Sequence, residues 1–298
     1  MRREVASTLA IAWVTALASS AAIADQQVDR SIEAAPDSYV DIYNTSGDIK
    51  IIGWTQDRVS VQGTLDDDVD ELLLERDGKD VVIRVKVPNR HHGSVDADLV
   101  IHVPEKSSID VSTVSADIDV SGVLGKQSLE TVSGDVSTAA FGRDIEAGSV
   151  SGDVEIRGNG KAADFDAATV SGDVILTNLA GRIDAESVSG DVEINGGVFD
   201  DVYLESVNGD LEFRAELKDG GDLGMESVNG TIDIVFTKPV SARFDIETFN
   251  GSIRNCFGPK PERTSRYSPG LELSFTQGDG DSHVSIETLN GSVNICNQ

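Results

Sequence analysis

Seven aspartates hold one phase of a repeated phrase. In ESVSGDVEI, residues 186–194, an aspartate follows a glycine, and Asp48, Asp117, Asp135, Asp153, Asp173, Asp191 and Asp210 all occupy that place. The last six come from consecutive repeats, so a fold that stacks the repeats would make them a column. Carboxylates about 4.8 Å apart repel by roughly 1 kcal/mol per neighbouring pair in water-like surroundings. Bound Ca²⁺ would relieve this repulsion, which makes the column a candidate weak cation ladder. The next repeats carry Thr231, Ser252 and Ser292 there. These keep a short side-chain oxygen that can bond turn amides and lose the charge. Local hydrogen bonding is therefore the role all these residues can share. The nine-residue calcium-binding repeat is absent, and the expectation is no dedicated cofactor, only loose Ca²⁺ association.

Other acids fall on further rows. Glu155, Glu193, Glu212 and Asp233 stand three residues after the glycine position, and Glu146, Asp166, Asp184 and Asp245 six before it. A ladder of acids easily meets the carboxylate separations of glycoside hydrolysis, so meeting them carries little information. No repeat adds the localised aspartate cluster with an arginine or lysine base that a β-solenoid lyase needs. No catalytic residue is assigned, and the chain reads as a non-enzyme. His91 and His92, in PNRHHGSVD, have too few companions of ligand type for a metal site. Arg254, Lys260, Arg263 and Arg266 gather near one proline- and glycine-rich stretch of a chain otherwise short of positive charge. They form either a loop salt-bridged to the acidic body or a docking loop for an anionic partner.

What positions these residues is the repeat. Aligned on Ala116, Gly134, Gly152, Gly172, Gly190, Gly209, Gly230, Gly251 and Gly291, the spacings are 18, 18, 20, 18, 19, 21, 21 and 40. With that position as zero, apolar residues recur at −7, −5, −2, +2 and +4, as in Val202, Leu204, Val207, Leu211 and Phe213. Two strands joined by a bulge or corner fit this pattern, with the valine at −2 and the glycine facing inward. A unit this short cannot bury its apolar side alone, and stacking in parallel buries a continuous core. Position −1 supports such stacking, since it is serine in five consecutive repeats (115, 133, 151, 171, 189) and asparagine in the next four (208, 229, 250, 290). The expected fold is all-β, a parallel β-solenoid (β-helix-like) of about nine to ten rungs. An antiparallel sandwich is the rival.

Cys256 and Cys296 each follow a repeat glycine by five residues. Rungs about 4.8 Å apart lie within the Cα separation a disulfide needs, so this register pairs the two cysteines. The phrase also occurs once early, around Gly47, before residues 54–104 of longer alternation. These read as an antiparallel β cap or insertion over one end. Residues 257–281 interrupt the last repeats, with Leu271 to Phe275 able to form a strand.

The domain reading is 1–24 signal peptide, 25–104 N-terminal β region and 105–298 repeats. Arg2 and Arg3, a short apolar run and Ala22-Ile23-Ala24 make the secretory signal. No other segment is apolar enough for a transmembrane anchor. Removing residues 1–24 takes away two arginines and one glutamate, which moves the formal charge from −28 to −29. Such a surface excludes nucleic acid as a partner and favours cations or basic partners.

NTSGDIKIIGW at 44–54, DLVIHVP at 98–104 and the SGD and NGS phrases resemble a family of exported bacterial proteins labelled "putative adhesins". That resemblance implies a β-solenoid and brings no catalytic residues. The expected function is an exported structural or binding protein, periplasmic or at the cell surface, that presents acidic and Ser/Asn ladders. Its partner would be an envelope protein or polysaccharide. The alternatives are a carbohydrate-active β-solenoid enzyme and an accessory or sensor protein of an envelope-stress system.

Overall fold

Alternation of apolar and polar residues turns one side of a strand to the core and the other to solvent. The computed structural model describes residues 26–88, 95–266 and 268–297. Among these residues there is no helix, and the strands join one 24-stranded mixed sheet. The all-β expectation holds. The pairing is parallel through the middle of the chain and partly antiparallel toward both ends. Residues 1–24, read above as a signal peptide, and His91-His92 lie outside the described residues.

From Ser108 to Asn229 each repeat pairs in parallel with the next. Gln127–Ser133 lies between Ser108–Ser112 and Ile145–Ser151, and Val136–Ala139 between Ser115–Ser121 and Val154–Arg157. Like faces like, with Val154 opposite Val174, Val174 opposite Val192 and Val192 opposite Leu211. The early phrase joins the same rows, and Gly47 stands opposite Ala116. Beyond it, Glu71–Asp77 pairs antiparallel with Asp80–Lys86, and Arg58–Leu65 runs antiparallel to both Gln26–Glu33 and Ala97–Pro104.

One expectation is corrected, that of the inward valine and glycine. Ile183, Ala185, Val192 and Ile194 are buried as the pattern predicts, but Val150 and Val188, at −2, stay 45% and 44% exposed. The residue before each valine is buried instead, namely Thr131, Ser149, Thr169, Ser187 and Ser206. Alternation runs unbroken through −7, −5 and −3, and the chain turns its corner only at −1 to +1. A hydroxyl is tolerated at −3 because the corner frees a carbonyl of the neighbouring repeat. Ser149 Oγ donates to Gly134 O at 3.0 Å, Thr169 Oγ1 to Gly152 O at 2.9 Å and Ser187 Oγ to Gly172 O at 3.1 Å. Each leaves no buried polar group unmatched, where an unmet one costs about 1–3 kcal/mol. The glycine lies at this corner rather than in the core. Stacked corners approach so closely that a Cβ on Gly190 would fall 1.8 Å from the Gly172 carbonyl oxygen.

The spatial order of the last repeats differs from their order along the chain. Ser282–Asn290 lies between Leu211–Asn229 and Ala242–Asn250, and Val293–Asn297 lies between Ile232–Phe236 and Ile253–Asn255. The last repeat of the chain is therefore next to last in space. Leu271–Gln277 then pairs antiparallel with the far edge of Ala242–Asn250, and Glu262–Arg263 pairs with it in turn. The strand foreseen at Leu271–Phe275 thus runs two residues longer. Its Phe275 stacks on Phe244 at 4.5 Å, closing an internal line of Phe199, Phe213, Phe236 and Phe244 with centroids 5.9–6.1 Å apart.

Candidate functional site

The aspartate column comes together, and its oxygens are engaged. Asp117 Oδ1 accepts the Asp135 amide at 2.9 Å, Asp153 Oδ1 the Asp173 amide at 2.8 Å, and Asp191 Oδ1 the Asp210 amide at 2.7 Å. Asp210 Oδ1 then accepts from the amide of Thr231, and Ser252 and Ser292 bond through their hydroxyls at 3.0 Å. Each carboxylate thus satisfies an amide that the corner leaves without a ladder partner. Among the described residues, no group of three or more His, Cys, Asp or Glu side chains is arranged to hold a metal ion.

The other sequence candidates have separate local partners. Cys256 and Cys296 form a disulfide, with Cα atoms 4.9 Å apart. Arg254 lies on Ile253–Asn255, at one margin of the sheet, and Arg263 on Glu262–Arg263, which pairs elsewhere. Arg263 donates to Ser268 O at 3.3 Å, and Lys260 is exposed. His102 packs beside the Trp54 ring, at 4.8 Å between centroids. Glu155 and Glu212 pair with Arg157 and Arg214, and Glu193 accepts from Asn195.

The register reveals two rows that sequence reasoning missed. The first is apolar and outward. Val114, Val132, Val150, Val170, Val188, half-buried Val207 and Val228 run in order, followed by Leu289 and Phe249. Beside it stands the Ser/Asn row, in which Asn229 donates to Asn208 and Asn250 to Asn290, both at 3.0 Å. The second row lies two residues earlier on each strand and shares the outward side. Glu186 faces Glu205, then Glu226, Glu287, Glu247, Glu272 and Glu262 follow as register partners on adjacent strands. The recurrence of glutamate at −4 (130, 186, 205, 226, 247, 287) was a signal available in the sequence. The extension through Glu272 and Glu262 was not, because antiparallel pairing supplies it.

Electrostatics marks these glutamates. Among the described residues none of the seven forms an ion pair with lysine or arginine. Burial, then the nearby Asp184 and Glu205, hold the Glu186 carboxyl above the usual glutamate range. Burial, then Asp166 and Asp201, push Asp184 up, against the opposing pull of Arg182. Tyr203 is raised above the ordinary tyrosine range, first by burial and then by its hydrogen bond to Glu205. Two shallow grooves open along the rows. One, of about 330 Å³, is lined by Glu226, Glu287, Glu247, Val228, Leu289 and Phe249, together with Thr264 and Gly270. The other, also about 330 Å³, opens where Gly148 and Ala168 interrupt the glutamate row beside Glu130 and Glu186.

An all-β ladder of stacked repeats with outward rows defines a class of repeat-built β proteins. Residues 38–296 match the Toastrack DUF4097 family, and the chain belongs to it. Among solved structures it is similar to a "putative adhesin" from Parabacteroides merdae (8% identity, TM-score 0.48, covering 91% of this chain and 96% of that one). It is also similar to a "putative adhesin" from Bacteroides fragilis (12%, 0.45, 92% and 99%) and a "putative lipid binding protein" from Parabacteroides distasonis (13%, 0.37, 91% and 96%). No curated protein matches the chain. Among the described residues no helix is long and apolar enough to cross a membrane.

Proposed function

We propose that this chain is an exported, non-catalytic, adhesin-like binding protein. Its repeats wind as a β-solenoid of about nine to ten rungs, and its outward rows meet an envelope or extracellular partner in the periplasm or at the cell surface. The observation that carries the reading is the outward apolar row. Nine aligned Val, Leu and Phe side chains from Val114 to Phe249 lie outside the core, and all but Val207 are exposed. Single exposed apolar residues are ordinary, whereas a continuous strip of them marks an interaction site. A disulfide between Cys256 and Cys296 supports an oxidising compartment.

The test is co-sedimentation of purified protein with isolated bacterial envelopes, comparing wild type with Val150→Ser/Val170→Ser/Val188→Ser. The expected result is saturable binding that the triple variant loses while keeping its thermal midpoint. Equal binding by both proteins would remove the row as the contact surface. A parallel reducing-sugar and unsaturated-product assay on polysaccharides is expected to give no product, and turnover would overturn the non-catalytic assignment.

A further inference from the structure

We propose that the groove at the Phe249 end of the rows docks a cationic amphipathic helix. This rests on the reading of the outward rows as the binding surface and specifies the partner's chemistry. Two observations converge there. The apolar row enlarges from valine to Leu289 and Phe249, which are 49% and 51% exposed. Glu226, Glu287 and Glu247 stand beside it on the same three strands, unpaired by any lysine or arginine among the described residues.

Charge selects among occupants. A second copy would oppose two glutamate rows on chains of net charge −28 each, and an anionic lipid surface would meet the same repulsion. A neutral glycan would leave the carboxylates uncompensated. A helix with an apolar stripe flanked by lysine or arginine satisfies both rows at once. Its turns rise about 5.4 Å against strands about 4.8 Å apart. Laid along the rows, it therefore brings about one residue to each strand, in the helix-in-groove manner. Apolar and acidic rows two residues apart along a strand are separated by about 6.7 Å, within the width of one helix.

The probe is a synthetic Leu/Lys peptide with its leucines along one helical face, titrated calorimetrically into the purified protein. Saturable binding is expected, weakening as NaCl is raised. At least a tenfold loss is expected in Glu226→Gln/Glu287→Gln/Glu247→Gln and, separately, in Leu289→Ser/Phe249→Ser, with thermal midpoints unchanged. Four results overturn the proposal: no binding, binding that neither variant weakens, equal affinity for a Ser/Lys peptide without leucines, or preference for a Leu/Glu peptide or anionic vesicles. Any of these results alongside row-dependent envelope binding removes only the cationic helix. The same result without row-dependent envelope binding removes the binding surface itself.

Discussion

Asn290 donates from Nδ2 to Asn229 Oδ1 at 3.0 Å across 61 residues of chain, while Asn250, closer in sequence to both, bonds to the other side of Asn290. The final repeat is thus inserted between two repeats that precede it. There it completes three rows at once: the core, the asparagine ladder and the glutamate ladder.

The Cys256–Cys296 bond fastens this insertion at its end, closing a loop of sequence separation 40. In the loop-entropy picture such a link contributes about 4 kcal/mol. Cys256→Ser/Cys296→Ser is therefore expected to lower the denaturant midpoint substantially. Hydrogen exchange should show the loss of protection concentrated in Ala242–Asn250 and Ser282–Asn290. Uniform loss across all repeats would mean that the bond does not act locally.

The aspartate column is expected to work as an acceptor rather than as a charge. Asp173→Asn keeps an oxygen for the Asp191 amide, now held at 2.8 Å, and should retain wild-type stability in urea titration. Asp173→Ala should lose about 1–2 kcal/mol. Equal losses in both variants would point to the charge.

Much of this was legible in the sequence, for identifiable reasons. Positions −7, −5, +2 and +4 are apolar in nearly every repeat, and the cysteines share a phase, so core and register followed. The side taken by −2 did not. Val188 beside Ser187 reads as a buried valine next to a surface serine, and only the freed Gly172 carbonyl explains the reverse. The place of the last repeat was also hidden, because asparagine at 229, 250 and 290 fits either order.

Proton linkage gives a further test. The folded-state carboxyls of Asp184 and Glu186 are raised, by burial first and neighbouring acids second. The folded state then binds more protons than the unfolded state between the ordinary and the raised pKa, so stability falls as pH rises through that window. Asp184→Asn should accordingly be more stable than wild type at neutral pH. The gain should disappear once the pH is below the ordinary aspartate value of 3.8. Urea midpoints across this range measure it, and a gain that persists in acid would require another cause. Asp144 behaves oppositely. Its hydrogen bond from Lys126 lowers its pKa, so its contribution is present above the ordinary value and is lost as pH falls through the lowered one.

Glycine at the corner is a matter of space. Gly190→Ala would place a Cβ 1.8 Å from the Gly172 oxygen, and relieving that overlap means separating two stacked backbones. A loss of about 3 kcal/mol is expected in denaturant unfolding. A neutral alanine would show that the corners are looser than this spacing.

The most direct measurement sets two adjacent residues against each other. Ser187→Val and Val188→Ser are compared with wild type by equilibrium denaturation. If the hydroxyl faces inward and the valine outward, Ser187→Val should cost about 1–3 kcal/mol, because the Gly172 carbonyl loses its donor. Val188→Ser should stay within about 0.5 kcal/mol. A costly Val188→Ser with a neutral Ser187→Val would put the valines back in the core and leave no apolar row for a partner to meet.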